Sequence, residues 1–324
     1  MTSEYFDQVK KQMELMAETN RLNSRISEAV EAINQIFSEY GIEQKITKND
    51  IKFTDSFLTN NHYTEKVDIE TTLFKSLRRL SQIIFEHYYP KPKGNKFFHY
   101  TTVSALKGIL KNELKLKPLI KNENYSEFKL FYQDHNLEGY TRNIDELGIL
   151  MERVLMEQCF AICFASPIDL TQHKDKTLWS SFADNGGGVR IEFQIDTQHS
   201  DFRQIFYHKN LDKGKLLLNR LAKDTLEKFN RTFALAGVSK IGAFYLPGDY
   251  DIENEVRFLF KKFTDEYNFS FDGSNGYIML PFESDFAKIS ITKIRAGKLC
   301  DIESIRSILV ENHYNPENLL EQDA

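Results

Sequence analysis

Three short stretches of this chain carry residue types that do chemistry. The first is "FFHYTT", where His99, Tyr100, Thr101 and Thr102 stand between an apolar run and a helical pattern. A histidine at a strand end can hold a ligand through one ring nitrogen while the backbone orients the other. The same residues also read as a strand end followed by a helix N-cap. The second is "TLWSSFADNGGGVRIEF", with Trp179, the only tryptophan, ahead of three consecutive glycines. Such glycines free backbone N–H groups to approach a ligand, or simply make a tight turn into a strand. The third is "DYDIENEVRFLFK". Glu253 and Glu255 stand two apart at the expected start of a strand, which places both on one face, with Arg257 two further on. Neighbouring carboxylates can divide the roles of base and orienting group, and an adjacent arginine can hold one ionised. An edge strand of alternating charge has the same pattern.

The elements around these stretches follow from periodicity. Residues 3–40 read as one long helix, with Phe6, Val9, Met13 and Met16 on one seam and Gly41 as its stop. Short strands are expected in 45–57, and a helix over 69–89. "PKPKGNK" reads as a linker. A domain boundary is therefore expected at 92/93, with a helical region before it and an α+β domain over 93–324. Beyond it, "FAICFAS" reads as a buried strand, and alternation predicts strands in "GGGVRIEFQI", "ENEVRFLFKKF" and "ISITKIRAG". Helices are expected after a cap at Thr101 or Thr102, over 216–238 and after Asp301. Strands interrupted by helices in irregular order indicate α+β rather than a regular βαβ array.

Composition narrows the function classes. The chain has 324 residues, a net charge of −5 and 41% hydrophobic residues, so nothing suggests a protein held to nucleic acid by a bulk basic surface. Cys159, Cys163 and Cys300 lack zinc-site spacing and fit buried thiols in a reducing compartment. With no signal peptide and no long apolar run, a cytoplasmic protein without a membrane span is expected. No phosphate-loop, zinc-protease or nucleophile-elbow motif is present.

In this order, "HYTTVSALKGIL", "CFAS", "WSSFADNGGG", "ENEVR" and "ITKIRAG" resemble an uncharacterised bacterial family. Its members run through an H-Y-T strand end, a C-F-S-like strand, W-S-x-[YF]-A-x-x-x-x-G and E-x-E-x-R. The resemblance covers about residues 97–315. More distantly, the "FFHYTTVSALKGILKNELKL" opening and the late E-x-E pair are similar to the ADP-ribosyltransferases. That resemblance implies a split β-sheet core with NAD+ as substrate and no metal. It implies that Glu255 stabilises the oxocarbenium and that Glu253 activates the acceptor. His99, Tyr100, Thr101, Tyr132, Trp179 and Arg257 would surround NAD+. Tyr125 and Tyr140 are alternatives to Tyr132 as the ring that stacks on nicotinamide. It further implies a nucleic acid or protein acceptor, a toxin or anti-phage role, and an antitoxin or a second copy docked on the N-terminal helix. Two other readings stand beside it: a non-catalytic nucleotide- or protein-binding sensor of the same fold, and a hydrolase using Glu253 and Glu255 as metal ligands.

Overall fold

A computed structural model describes residues 3–60, 79–119, 126–136, 159–168, 170–208, 215–235, 241–261, 271–272 and 276–321. The fold is mixed α+β, and the chain forms two compact units. The first comprises residues 1–88, 132–137 and 210–241; the second comprises 89–131, 138–209 and 242–324. The break after Tyr88 lies close to the expected boundary. The helical region is nevertheless not a contiguous N-terminal piece, because it draws in two later segments.

In the first unit, α1 (Ser3–Ser24) and α2 (Ile26–Glu39) replace the single helix expected over 3–40. No Gly or Pro marks the break at Arg25. Polar side chains beside it bond to backbone instead: Asn23 accepts from the Phe53 N–H at 3.3 Å, and the Ser24 hydroxyl donates to the Arg21 carbonyl at 2.6 Å. Such competition for backbone groups weakens a helix locally. Helix α2 buries Ala29, Ile33, Ile36 and Phe37 on one face and packs on α7 (Leu217–Phe229). Strands β1 (Ile51–Phe53) and β2 (Phe57–Asn60) make a hairpin, and β9 (Thr232–Ala234) adds parallel to β2. Helix α7 stops well before the expected residue 238, because Asn230 takes the left-handed conformation (φ 51°) and caps it. Of the helix expected over 69–89, α3 (Arg79–Tyr88) is present and the remainder lies outside the described residues. The seam of α1 is uncovered in the single chain, with Phe6, Met13 and Met16 all more than half exposed.

In the second unit, β3 (Lys96–Thr101), β4 (Glu113–Pro118), β5 (Cys159–Ala165), β6 (Val189–Thr197), β7 (Phe202–Gln204), β11 (Glu255–Lys261), β12 (Phe271–Asp272), β13 (Tyr277–Pro281) and β14 (Ala287–Ala296) form one network. Its order is β12-β13-β4-β5-β3-β6-β14, with β11 joined to β5 and β7 joined to β11. Strands β8 (Phe206–His208) and β10 (Tyr245–Pro247) pair separately in parallel. Helix α4 (Val103–Ile109) is capped by Thr102, whose hydroxyl oxygen accepts from the Ala105 N–H. Helix α8 (Ile302–Glu311) is capped by Asp301 in the same way. Alternation along the strands sends Phe97, Phe160, Ile162, Phe164, Ile191, Phe193, Val256, Phe258 and Phe260 into a common core.

Strand β5 organises this unit. One of its edges pairs with β11 along its whole length. The other edge is shared: β4 pairs opposite Phe160 and Ala161, and β3 pairs only opposite Ala165. Between them, no described strand pairs opposite Ile162, Cys163 and Phe164 on that edge. The sheet is split there.

Candidate functional site

A cleft of about 670 Å³ runs through this split. Register explains why it is open. All of Ala161 to Ala165 line it; alternation sets the small Ala161, Cys163 and Ala165 on one face of β5, and Phe160, Ile162 and Phe164 on the face that joins the core. Glu255 lies directly opposite Ala165, and Lys117 directly opposite Ala161. Directly paired residues share a face, so a run of small side chains is flanked by a carboxylate at one end and an ammonium at the other.

His99, Tyr100, Thr101, Glu253 and Glu255 all line this cleft. His99 occupies the split itself. Its Nδ1 lies 3.0 Å from the Cys163 carbonyl oxygen, a position a strand N–H would take in an unbroken sheet. That bond requires the proton on Nδ1 and leaves Nε2 as the acceptor. Burial, helped by the charge of Lys117, holds the imidazole below its ordinary value and outweighs the Cys163 carbonyl. The ring is therefore neutral near pH 7. It packs between Phe164 and Phe193, with centroids 5.8 and 6.4 Å away.

Glu255 is only 6% exposed. Its Oε1 accepts from Arg257 Nε at 2.8 Å, and its backbone N–H donates to the Tyr207 hydroxyl oxygen at 2.8 Å. Arg257 is 1% exposed, pairs opposite Cys163, is not among the residues that line the cleft, and also donates to the Ala243 carbonyl. It holds Glu255 in place. Burial first, and then the charge of Glu255, raises the Tyr207 phenol above its ordinary value.

Glu253 reaches the cleft differently from the expectation. It is not in a strand. Residues Gly248–Glu253 form a 3-10 turn, and Asn254 follows in the left-handed region (φ 46°). The Asn254 amide donates to the carbonyls of Ser166 and Ile168, and its own carbonyl accepts from the Ser166 N–H. Strand alternation therefore does not relate the two glutamates; the Asn254 kink does.

Tyr132 and Trp179 do not line the cleft. Tyr132, in α5 (Ser126–Asp134), is assigned to the first unit and is 1% exposed. Tyr125 and Tyr140 lie outside the described residues. The aromatic side chains that do line the cleft are Phe98, Phe164, Phe182, Tyr100 and Tyr277. Trp179 sits in α6 (Gln172–Phe182) and packs edge-on against Tyr100, with centroids 5.4 Å apart. Tyr100 in turn donates to Asp175, which Arg190 approaches at 3.5 Å. Burial, and then Asp175, pushes the Tyr100 phenol up.

The glycine triplet has a packing reason. A Cβ on Gly188 would come 2.2 Å from the Thr101 carbonyl oxygen, and one on Gly297 would come 2.2 Å from that of Gly186. These glycines let the end of β3, the α6–β6 turn and the end of β14 touch backbone to backbone. None of the three lines the cleft.

Sequence reasoning missed β4. "ELKLKP" alternates Leu114 and Leu116 into the core with Lys115 and Lys117 toward the cleft, a period-2 signal that could have been read. It also missed Tyr207 and Tyr277, for which no local signal exists. Among the described residues, no group of three or more His, Cys, Asp and Glu side chains is arranged to hold a metal ion. No described helix is long and apolar enough to cross a membrane. Comparison with protein-family models, curated proteins and solved structures finds no match to this chain.

Proposed function

We propose that this cleft binds NAD+ and transfers its ADP-ribose to a nucleophile. The observation that carries the reading is that a neutral histidine and an arginine-paired carboxylate, 156 positions apart in sequence, line one cleft at a split in the sheet. His99 Nε2, fixed as an acceptor, takes a hydrogen bond from a hydroxyl of the nicotinamide-side ribose. Glu255 accepts from the ribose 2′-hydroxyl and sits where positive charge develops at C1′. Electrostatic stabilisation by a carboxylate already held in place needs no reorganisation during the reaction.

The C1′–N1 bond breaks with its electron pair passing to the nicotinamide nitrogen, and neutral nicotinamide leaves. The acceptor's lone pair forms the new bond at C1′, and Glu253 takes the acceptor's proton. Cleft aromatics other than Tyr132 provide the face for the nicotinamide ring. A toxin or defence effector acting on nucleic acid or protein fits this chemistry, with the uncovered seam of α1 as the place for an inhibitor or a second copy.

A second reading has its own observation. Glu255 is nearly buried and already held by Arg257, an arrangement that also suits a module that binds a nucleotide without turning it over. Incubation of the full chain with NAD+ and single-stranded DNA, RNA or cell lysate separates the two. Free nicotinamide, measured by liquid chromatography, is expected from wild type and lost by at least 100-fold in Glu255→Gln. Equal release from both proteins, or none from either with every acceptor, rejects the transferase.

A further inference from the structure

The wall of the cleft across from His99 and Glu255 is chemically different. We propose that β4 and β13 form a nucleoside-phosphate subsite, in which Lys115 and Lys117 hold the phosphate and Tyr277 stacks the base. The proposal deepens the transferase reading of this same cleft and relies on it for the position of the reacting ribose.

Three observations support it. First, the lysines are placed by the strand. Leu114 and Leu116 are fully buried, so alternation fixes Lys115 and Lys117 on the cleft face. Met279 pairs directly opposite Lys115, which puts Tyr277 opposite Lys117 on the same face. Second, the Lys115 ammonium stands 3.7 Å from the centroid of the Tyr277 ring. That cation–π contact sets a face of the ring against an ammonium that itself lines the cleft. A phosphate can draw the ammonium away, and a base can take its place on the ring; stacking on an aromatic tolerates any base. Third, the subsite is far enough from Glu255 to hold a different part of the ligand. Four strand residues and two strand spacings separate Lys117 from Glu255, roughly 16 Å between backbones.

The shared chemistry is a nucleoside phosphate, from either of two sources: the adenylate half of NAD+, or a nucleotide of an acceptor strand. Calorimetric titration of the full chain with ADP-ribose, and fluorescence anisotropy with a labelled ten-nucleotide oligothymidylate, read these sources separately and need no turnover. The Lys115→Gln/Lys117→Gln variant is expected to bind one of the two probes at least tenfold more weakly, with Tm unchanged. Tyr277→Leu should weaken the same probe without altering weak binding of inorganic phosphate. Loss confined to ADP-ribose assigns the subsite to NAD+, and loss confined to the oligonucleotide assigns it to the acceptor. If wild type binds neither probe, or the lysine variant binds both as wild type does, the subsite is refuted. A wild type that binds but releases no nicotinamide sinks the transferase and leaves the subsite standing. Turnover with an unaffected lysine variant does the reverse.

Discussion

Replacing Arg257 by leucine should destabilise the second unit severely, and the structure gives the size. The Arg257 and Glu255 side chains are 2% and 6% exposed, with Nε and Oε1 2.8 Å apart. With charge centres about 4 Å apart and an effective dielectric of about 20, the attraction is about 4 kcal/mol. Removing one partner of a buried pair costs about 3–5 kcal/mol, because the other charge is stranded. The Ala243 carbonyl loses a donor as well, which adds about 1–3 kcal/mol if water cannot reach it. A loss near 4 kcal/mol corresponds to a fall in Tm on the order of 10 °C. Replacing both residues by leucine removes the stranded charge, so the double variant should recover most of that loss. Thermal and urea unfolding of wild type, both single variants and the double variant at pH 7 measure the cycle. A single variant within about 1 kcal/mol of wild type, or a double variant no better than Arg257→Leu, would show that Arg257 does not hold Glu255 as argued.

Gly188→Ala should cost more than about 3 kcal/mol or abolish soluble expression, since its Cβ would meet the Thr101 carbonyl oxygen at 2.2 Å; a Tm within 2–3 °C of wild type contradicts the backbone contact. Gly108 lies in α4, lines the cleft, and has open space around an added Cβ. Gly108→Ala should therefore stabilise by up to about 1 kcal/mol in urea titration while weakening ADP-ribose binding in calorimetry. Burial lowers the folded pKa of both His87 and His99. The unfolded chain thus binds more protons as pH drops below about 6.5, and their share of stability, complete above that value, is lost toward the folded values. Tm should fall between pH 7 and 5, and His99→Phe should flatten that slope; an unchanged slope refutes the assignment for His99.

Much of the second unit could be read from local pattern. Thr102 and Asp301 announce their helices because a capping oxygen is a local device, and the buried strands announce themselves by apolar alternation. His99 and Glu255 were legible as candidates because each sits at a strand end. What failed was non-local or hidden in a single dihedral. Asn254 breaks the register between Glu253 and Glu255, and only the known tolerance of Asn for positive φ hints at it. Asn230 ends α7 for the same reason. That residues 210–241 join the helical unit depends on tertiary packing, which no window of sequence reports. Tyr125, Tyr132 and Tyr140 share one stretch, and no local pattern ranks them.

The unpaired run on β5 makes the aperture of the cleft a matter of counting. Three residues, Ile162 to Phe164, lie between the last partner on β4 and the first on β3, so the two partners stand four residues apart along β5, about 13 Å at the rise of a strand. Both flanks are rooted on one continuous strand that is paired with β11 along its full length. A one-residue insertion in this run would widen the gap by about 3.3 Å. Placed before Phe164, it would also invert every following side chain, turning Ala165 toward the core and Phe164 to the opposite face.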